Sequence, residues 1–237
     1  SGVNPIAANH VLRWIPGSRP EGLRLRGAAG VVKLAQALSA KGSLERPRTR
    51  ADARSLTSVF DQRTGNAPEA LAVRRLTKEG KSLLVVAGRD ERGLMYALLD
   101  LAQQLGALKP DADWWTSLQD TTERPAVPVR RLVLLLHNKD DEREWYYSKE
   151  FWNAYLGMLA ANRWNGLNLV FSHQTPYLSP MYPFHVKVPE HPEVVARGIT
   201  DAERDRNLEM LRFISQLATD RGLEFTLGIW QQIAWEG

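Results

Sequence analysis

The chain has 237 residues, of which 43% are hydrophobic and 24% charged, with a net charge of +4 and no cysteine. This composition is typical of globular proteins and supplies enough apolar side chains for a sizeable core. The lack of cysteine excludes a disulfide scaffold, a thiolate nucleophile and cysteine-ligated metal centres. Basic and acidic residues alternate in most charged stretches and no apolar run reaches the ~20 residues of a membrane helix, so we expect neither a nucleic-acid nor a membrane partner.

The first region, residues 1–110, predicts a small α/β support domain. Its beginning is weakly patterned and predicts a short strand, a helix, and then a loop with some helix. These three segments are Leu23–Arg26, Ala28–Ser39 and residues 40–69.

A hairpin and a helix complete this region. Ala70–Leu76 and Ser82–Val86 are strand-like apolar runs around a Lys-Glu-Gly-Lys turn. The helix that follows has Asp90 as its predicted N-cap and an apolar stripe at helical spacing. Gly106 is placed at C′, just past the end of this helix.

Residues 111–128 predict a linker, because they combine prolines with a polar Asp/Thr run. Trp114 and Trp115 lie within it. We expect both indoles to pack on a domain surface, since adjacent tryptophans are rarely left in water.

The second region, residues 129–237, alternates strands and helices in the order β-loop-α-β-loop-α-β. The three strands are predicted at Val129–Leu136, Leu167–Ser172 and Leu223–Trp230. Their apolar character indicates parallel strands buried on both faces and joined by right-handed crossovers.

Two helices connect these strands. The first begins near Ser148, and the second opens with a capping box of Thr200 and Glu203 and ends at Gly222. A proline-rich loop of about 27 residues separates the second strand from its helix, and loops of this length are usually functional or disordered.

Three such units predict an α/β fold in which the first three β/α units of a (β/α)8, TIM-type barrel follow the small domain. A complete barrel takes about 250 residues, and the second region is less than half that length. We therefore expect a chain truncated at Gly237. A small open sheet that is complete in itself is the alternative.

Three segments resemble glycoside hydrolases. Gly88–Ala97 is similar to the end of the small α/β domain that precedes the barrel in family 20 β-hexosaminidases and family 67 α-glucuronidases, where a D-x-R-G-x-x-Y-like pattern starts a helix. Arg163–His173 and Arg221–Trp230 are similar to the second and third barrel strands of family 20. The resemblance implies a hexosaminidase-like domain followed by a barrel that hydrolyses glycosidic bonds.

The chain departs from family 20 after the first and third predicted strands. His137-Asn138-Lys139-Asp140 replaces an acidic residue and an arginine, and Trp230-Gln231-Gln232 replaces an acidic residue and Pro-Gly-His. The catalytic Asp-Glu pair of the family belongs to a fourth strand. The resemblance therefore implies carboxylate acid/base catalysis by residues beyond 237, leaves the catalytic residues of this chain unknown, and does not imply N-acetylhexosamine as the substrate.

Polar and aromatic residues follow all three predicted strands. In a (β/α)8 barrel the site lies at the carboxyl ends of the strands, and sugars are bound by neutral hydrogen-bonding groups and aromatic rings. These residues are the predicted substrate contacts: His137, Asn138, His173, Gln174, Trp230, Gln231 and Gln232. Structural histidines at strand ends are the competing interpretation.

Other chemistries have little support. The histidines at 137, 173, 185 and 191 match no ligand spacing, so we expect no metal and no cofactor. The acidic residues near the predicted substrate-binding face are Glu236 and the run at 140–144. This run is charged and solvated, which disfavours a raised pKa and therefore a catalytic role.

We expect a bacterial carbohydrate-active enzyme fragment that acts in polysaccharide degradation, and therefore a secreted or periplasmic protein, although the chain shows no signal peptide. The alternatives are a non-catalytic carbohydrate-binding or interaction protein and an unrelated small α/β protein. The sugar, the linkage, the stereochemical outcome and the oligomeric state are not predicted.

Overall fold

The computed structural model describes residues 11–16, 42–45, 60, 64–78, 80–109, 111–136, 141–171, 184–193, 195 and 198–229. The chain divides into two compact units, residues 1–128 and residues 129–237. The predicted strand Leu23–Arg26 and helix Ala28–Ser39 lie outside the described residues.

The first unit contains an antiparallel sheet of five strands in the order β2-β1-β4-β3-β5. The predicted hairpin is confirmed as β3 and β4, with Gly80 in the left-handed region at φ 73° in its turn. The strands are β1 (Val11–Pro16), β2 (Gly42–Glu45), β3 (Leu71–Lys78), β4 (Lys81–Gly88) and β5 (Thr121–Glu123).

Strand β2 corrects the prediction of loop and helix over residues 40–69. Its sequence, GSLE, has no apolar alternation, but it pairs with β1, with Ile15 opposite Ser43. An edge strand gains its backbone hydrogen bonds from one neighbour and needs no apolar pattern of its own. Sequence periodicity therefore gave no signal for it.

Helix α1 (Glu91–Gly106) packs on this sheet. Its Asp90 N-cap is confirmed, because the carboxylate accepts a hydrogen bond of 2.7 Å from the Gly93 amide. Tyr96 and Leu101 are buried against the sheet residues Leu84 and Val86. Gly106 is the last helical residue and not C′, since the next residue, Ala107, keeps a right-handed conformation and bonds back to Gln103 and Gln104.

Residues Gly88–Gly93 belong to one of the segments that resemble glycoside hydrolases, and in the structure they have a packing role. Asp90 accepts a second hydrogen bond, of 2.8 Å, from the Glu69 amide, and Arg92 pairs with the buried Glu69 carboxylate at 2.6 Å. Gly93 lies so close to the Ala70 carbonyl that a Cβ would come within 2.4 Å of its oxygen. These contacts fasten the start of α1 to the start of β3.

The segment predicted as a linker contributes to the first unit. Helix α2 (Trp114–Ser117) places both tryptophans against the core around α1, which confirms the prediction that they pack on a domain surface. Leu118 is buried in the same core, and β5 pairs with β3. The polar composition of residues 111–128 gives no sign of this packing, because only a few of these residues make buried contacts.

The second unit contains a parallel sheet with the strand order β6-β7-β8. This confirms the predicted order of strands and helices. The elements are β6 (Arg131–Leu136), α3 (Arg143–Tyr146), α4 (Lys149–Ala161), β7 (Gly166–Phe171), α5 (Asp201–Asp220) and β8 (Glu224–Ile229).

The helix caps of the second unit follow the prediction. The Ser148 hydroxyl accepts a hydrogen bond of 3.0 Å from the Phe151 amide, and the Thr200 hydroxyl accepts one of 3.2 Å from the Glu203 amide. Gly222 follows α5 in the left-handed conformation, at φ 70°. Local hydrogen bonding therefore fixes the helix limits that the sequence signals.

Helices cover one face of the parallel sheet. Leu167 and Leu169 of β7 are buried in a core with Trp152 of α4 and Ile214 of α5. Val133 of β6 points to the opposite face and is 55% exposed. The prediction that this strand is buried on both faces is therefore wrong for the part of the chain that the structure describes, because side chains alternate and the two helices reach only one side.

A side-chain bridge crosses the opposite face of the sheet. Arg131 of β6 donates to the Thr226 hydroxyl at 3.1 Å and to the Glu224 carboxylate, both on β8. Gly166 lies between them on β7, and a Cβ there would come within 2.6 Å of Cγ of Arg131. The glycine allows the arginine to pass over the central strand.

Candidate functional site

The carboxyl ends of the three parallel strands form one edge. Leu136, Phe171 and Ile229 are register partners and are the last residues of β6, β7 and β8. All seven predicted substrate contacts follow these ends and lie outside the described residues, so they remain predictions: His137, Asn138, His173, Gln174, Trp230, Gln231 and Gln232. Asp140 and Glu236 lie outside them as well.

A pocket opens beside this edge, between the end of β6, helix α3 and the first turns of α5. It contains about 450 Å³ of space, a volume that includes solvent at its open mouth. Its lining combines aromatic, polar and charged side chains: Leu136, Glu142, Arg143, Tyr146, Tyr147, Phe184, His185, Ile199, Glu203 and Asn207.

Asn207 joins the walls of the pocket. Its side-chain amide donates a hydrogen bond of 2.9 Å to the Phe184 carbonyl, and its Oδ1 accepts one from the Tyr147 hydroxyl. Its backbone carbonyl accepts a further bond from the Tyr146 hydroxyl at 3.3 Å. Because Asn207 is buried on α5, these bonds tie the segments at 146–147 and 184 to that helix.

Ring contacts hold the same walls in place. The Trp152 indole donates to the Tyr146 carbonyl at 2.8 Å, and the Arg206 guanidinium lies 3.9 Å from the centre of the Tyr147 ring. His185 is buried and stacks on Phe171, with ring centres 4.6 Å apart. The shape of the pocket is therefore set by contacts within the protein.

The rim of the pocket is charged. Arg143 and Glu203 approach to 3.6 Å, with their side chains 51% and 22% exposed, and Glu142 adds a second carboxylate. Burial raises the pKa of Tyr147, and Glu203 raises it further, while Arg206 and Arg143 oppose the shift. Tyr147 is therefore a neutral phenol, and a hydrogen-bond donor, across the physiological pH range.

The buried Tyr146 predicts alkaline sensitivity. Burial, and then the neighbouring Tyr147, raise the pKa of Tyr146 far above its ordinary value of 10.0. The folded state thus favours the neutral phenol, so the corresponding stability is complete below pH 10 and is lost as pH rises above it. We therefore expect the free energy of unfolding of the second unit to be lower at about pH 11 than at about pH 8.

The Tyr146→Phe variant is the control for this prediction. It removes the titrating group and one hydrogen bond of 3.3 Å. Unfolding is followed by denaturant titration at both pH values, together with tyrosinate absorbance. An equally steep alkaline loss in Tyr146→Phe would show that another group carries the effect.

Sequence reasoning missed most of this pocket. Asn207 lies on the buried stripe of α5 together with Met210 and Ile214. A polar residue on an otherwise apolar stripe was the one sequence signal that could have pointed to it. For His185 the sequence indicates no role, because its spacing to the other histidines matches no metal-ligand pattern. Within the described ranges, no three His, Asp or Glu side chains converge as a metal ion would require.

The site therefore lies in a mixed α/β protein, next to the carboxyl ends of a parallel sheet. No family model matches the chain. The curated proteins include no match either. No helix among the described residues has the length and apolar character to cross a membrane.

A solved structure shares the fold. It is described as a GH138 enzyme targeting pectin rhamnogalacturonan II, and it matches with a TM-score of 0.54 and 21% sequence identity. The match covers 74% of this chain and 20% of that chain. The chain thus shares its fold with part of this neighbour and spans about a fifth of that protein's length. This match does not test the resemblance to families 20 and 67, which stays a prediction.

Proposed function

We propose that the chain is part of a glycoside hydrolase, composed of a small α/β domain and the first three units of a (β/α)8 barrel. It would hydrolyse glycosidic bonds of an oligo- or polysaccharide with a general acid and a second carboxylate on later strands. The fold shared with part of a GH138 enzyme supports this class of activity.

The observation that carries the proposal is the exposure of Val133 on the face of the parallel sheet that points away from α4 and α5. Parallel sheets are normally buried on both faces, yet Val133 is 55% exposed on the side away from α4 and α5. In a (β/α)8 barrel this face is the interior, which side chains from all eight strands fill. Further strands after β8 would bury Val133 and Arg131.

The proposal gives the strand-end residues a role. Strands β6 to β8 end at one edge, and barrel enzymes build their sites on the loops that follow such ends. His137, His173 and Trp230 would then contact the sugar, together with the amides Asn138, Gln174, Gln231 and Gln232. A relation to families 20 and 67 and a secreted or periplasmic location belong to the same proposal.

Hydrolysis by the complete natural protein tests the proposal. Plant and microbial polysaccharides are incubated with the protein, and new reducing ends are measured. We expect cleavage of at least one substrate, and loss of about 10³-fold or more of kcat when an acidic residue at the end of a later barrel strand is replaced by its amide.

The same assay distinguishes hydrolysis from the second candidate function, which is that of a carbohydrate-binding module. The pocket at Tyr146, Arg143 and Asn207 is compatible with binding without turnover. Retention on a polysaccharide without any new reducing ends would favour this second candidate. Neither retention nor cleavage on any of the polysaccharides would overturn both.

A further inference from the structure

The pocket beside β6 has the position of a ligand site. Leu136, the last residue of β6, lines it, and Phe171, the last residue of β7, lies under His185. In α/β folds, ligands bind outside the carboxyl ends of parallel strands. The pocket is therefore where the fold itself favours a ligand, and none of its residues belongs to the predicted contact set.

We propose that this pocket is a subsite for a neutral sugar ring, with Tyr147 as a wall and Arg143 and Glu203 as its hydrogen-bonding rim. The proposal rests on the proposed function, because it assigns one of the surfaces that would contact the carbohydrate.

The walls suit the apolar faces of a sugar. Tyr146, Tyr147 and Phe184 supply aromatic surface, and Leu136 and Ile199 supply aliphatic surface. The C–H faces of a pyranose pack against such groups, while its hydroxyls need polar partners at the edge. The pocket offers both kinds of group.

The rim suits hydroxyl groups. A guanidinium has five N–H donors and a carboxylate accepts about four hydrogen bonds, so the 3.6 Å contact between Arg143 and Glu203 does not use all of their hydrogen-bonding capacity. Arg143 is half exposed, which keeps it accessible from the mouth. Adjacent hydroxyls of a sugar can bond to a donor and an acceptor placed side by side in this way.

The charge balance favours a neutral ligand over an acidic one. Glu142 and Glu203 provide two carboxylates, and Arg143 provides one guanidinium, which already pairs with Glu203. Among the described residues that line the pocket, the carboxylate of a uronic acid would meet two carboxylates and one guanidinium, which disfavours its binding. A neutral ring bonds to both signs without this cost.

The pocket is shaped in advance of binding. Asn207 fixes Tyr147 and the Phe184 carbonyl through hydrogen bonds, and Arg206 covers the Tyr147 ring. A site whose walls are already ordered loses little side-chain freedom when a ligand enters.

Direct binding to the full chain tests the subsite. The probes are D-glucose, D-galactose, D-mannose and L-rhamnose as neutral rings and D-galacturonate as the acidic ring, each measured by calorimetry and saturation-transfer NMR. We expect at least one neutral sugar to bind. Arg143→Ala and Glu203→Gln should each raise its Kd at least about tenfold, since each removes a charged hydrogen-bonding group.

A second ion pair gives the matched controls. Lys149 and Glu209 approach to 4.0 Å, are 61% and 75% exposed, and do not line the pocket. Lys149→Ala and Glu209→Gln therefore repeat the same kinds of change beside the same helix. We expect both to leave Kd unchanged, and thermal unfolding of all four variants verifies that they are folded.

The outcomes separate this inference from the proposed function. If the complete enzyme cleaves a polysaccharide while Arg143→Ala and Glu203→Gln bind the sugars as the unmodified chain does, the subsite is wrong and the hydrolase stands. Binding of D-galacturonate alone, or of no probe, also overturns the neutral subsite. If no probe binds and no polysaccharide is cleaved, both proposals fail.

Discussion

Replacing Gly88 by alanine is expected to lower the free energy of unfolding of the first unit by about 3 kcal/mol or more. Gly88 ends β4 where the chain turns into α1, and a Cβ there would lie 1.9 Å from the Leu94 amide nitrogen and 2.4 Å from the Gly93 carbonyl carbon. Both are backbone atoms of the first helical turn. No rotamer change relieves such a clash, so the strand and the helix must separate.

Gly106→Ala is the matched control. Gly106 is the last residue of the same helix, and nothing lies within 4 Å of a Cβ built there. Alanine loses less backbone entropy than glycine in a helix, so we expect stability to be unchanged or raised by up to about 1 kcal/mol.

The free energy of unfolding of the first unit is measured by hydrogen exchange of the β3 and β4 amides at increasing denaturant concentration. It reports the first unit separately, which matters because a chain of two units need not unfold in one step. Equal protection in Gly88→Ala and Gly106→Ala would contradict the close approach of β4 and α1.

Replacing Asn207 by alanine is expected to destabilise the second unit by about 2–4 kcal/mol. The change removes the acceptor of the Tyr147 hydroxyl and the donor to the Phe184 carbonyl. Asn207 is only 6% exposed, so water does not readily replace these partners. Each buried polar group left without its partner costs about 1–3 kcal/mol.

Asn153→Ala makes the same chemical change at an exposed position of α4. Asn153 accepts a hydrogen bond of 2.8 Å from Arg221, and its amide donates to the Lys149 carbonyl at 2.7 Å. We expect a loss of no more than about 0.5 kcal/mol. Denaturant unfolding followed by tryptophan fluorescence compares the two variants, and a similar loss in both would mean that burial does not govern the Asn207 network.

Local signals predicted the elements whose limits depend on local hydrogen bonds. Asp90, Ser148 and Thr200 each cap a helix through their own side chains, and the sequence identifies all three. The parallel order β6-β7-β8 also followed from the alternation of apolar runs and helices. Patterns of this kind depend on residues only a few positions apart.

Features that depend on distant partners escaped prediction. Strand β2 exists because β1 pairs with it, and Leu118 is buried because α1 lies over it. The pocket depends on Asn207 and Tyr147, which are 60 residues apart in the chain and adjacent in space. The position of Asn207 on the buried stripe of α5 signals that it is buried, but nothing in either local sequence indicates its contact with Tyr147.

The Arg131 bridge bears on the order of folding. Arg131 and Glu224 are separated by 93 positions and belong to strands that are not neighbours in the sheet. Contacts of such long sequence separation carry a large loop-closure cost and form late. The bridge can close only after both crossover connections have brought β7 and β8 into register. It therefore marks the point at which β6, β7 and β8 are all in place, and Gly166, by leaving room for Arg131, makes this contact possible.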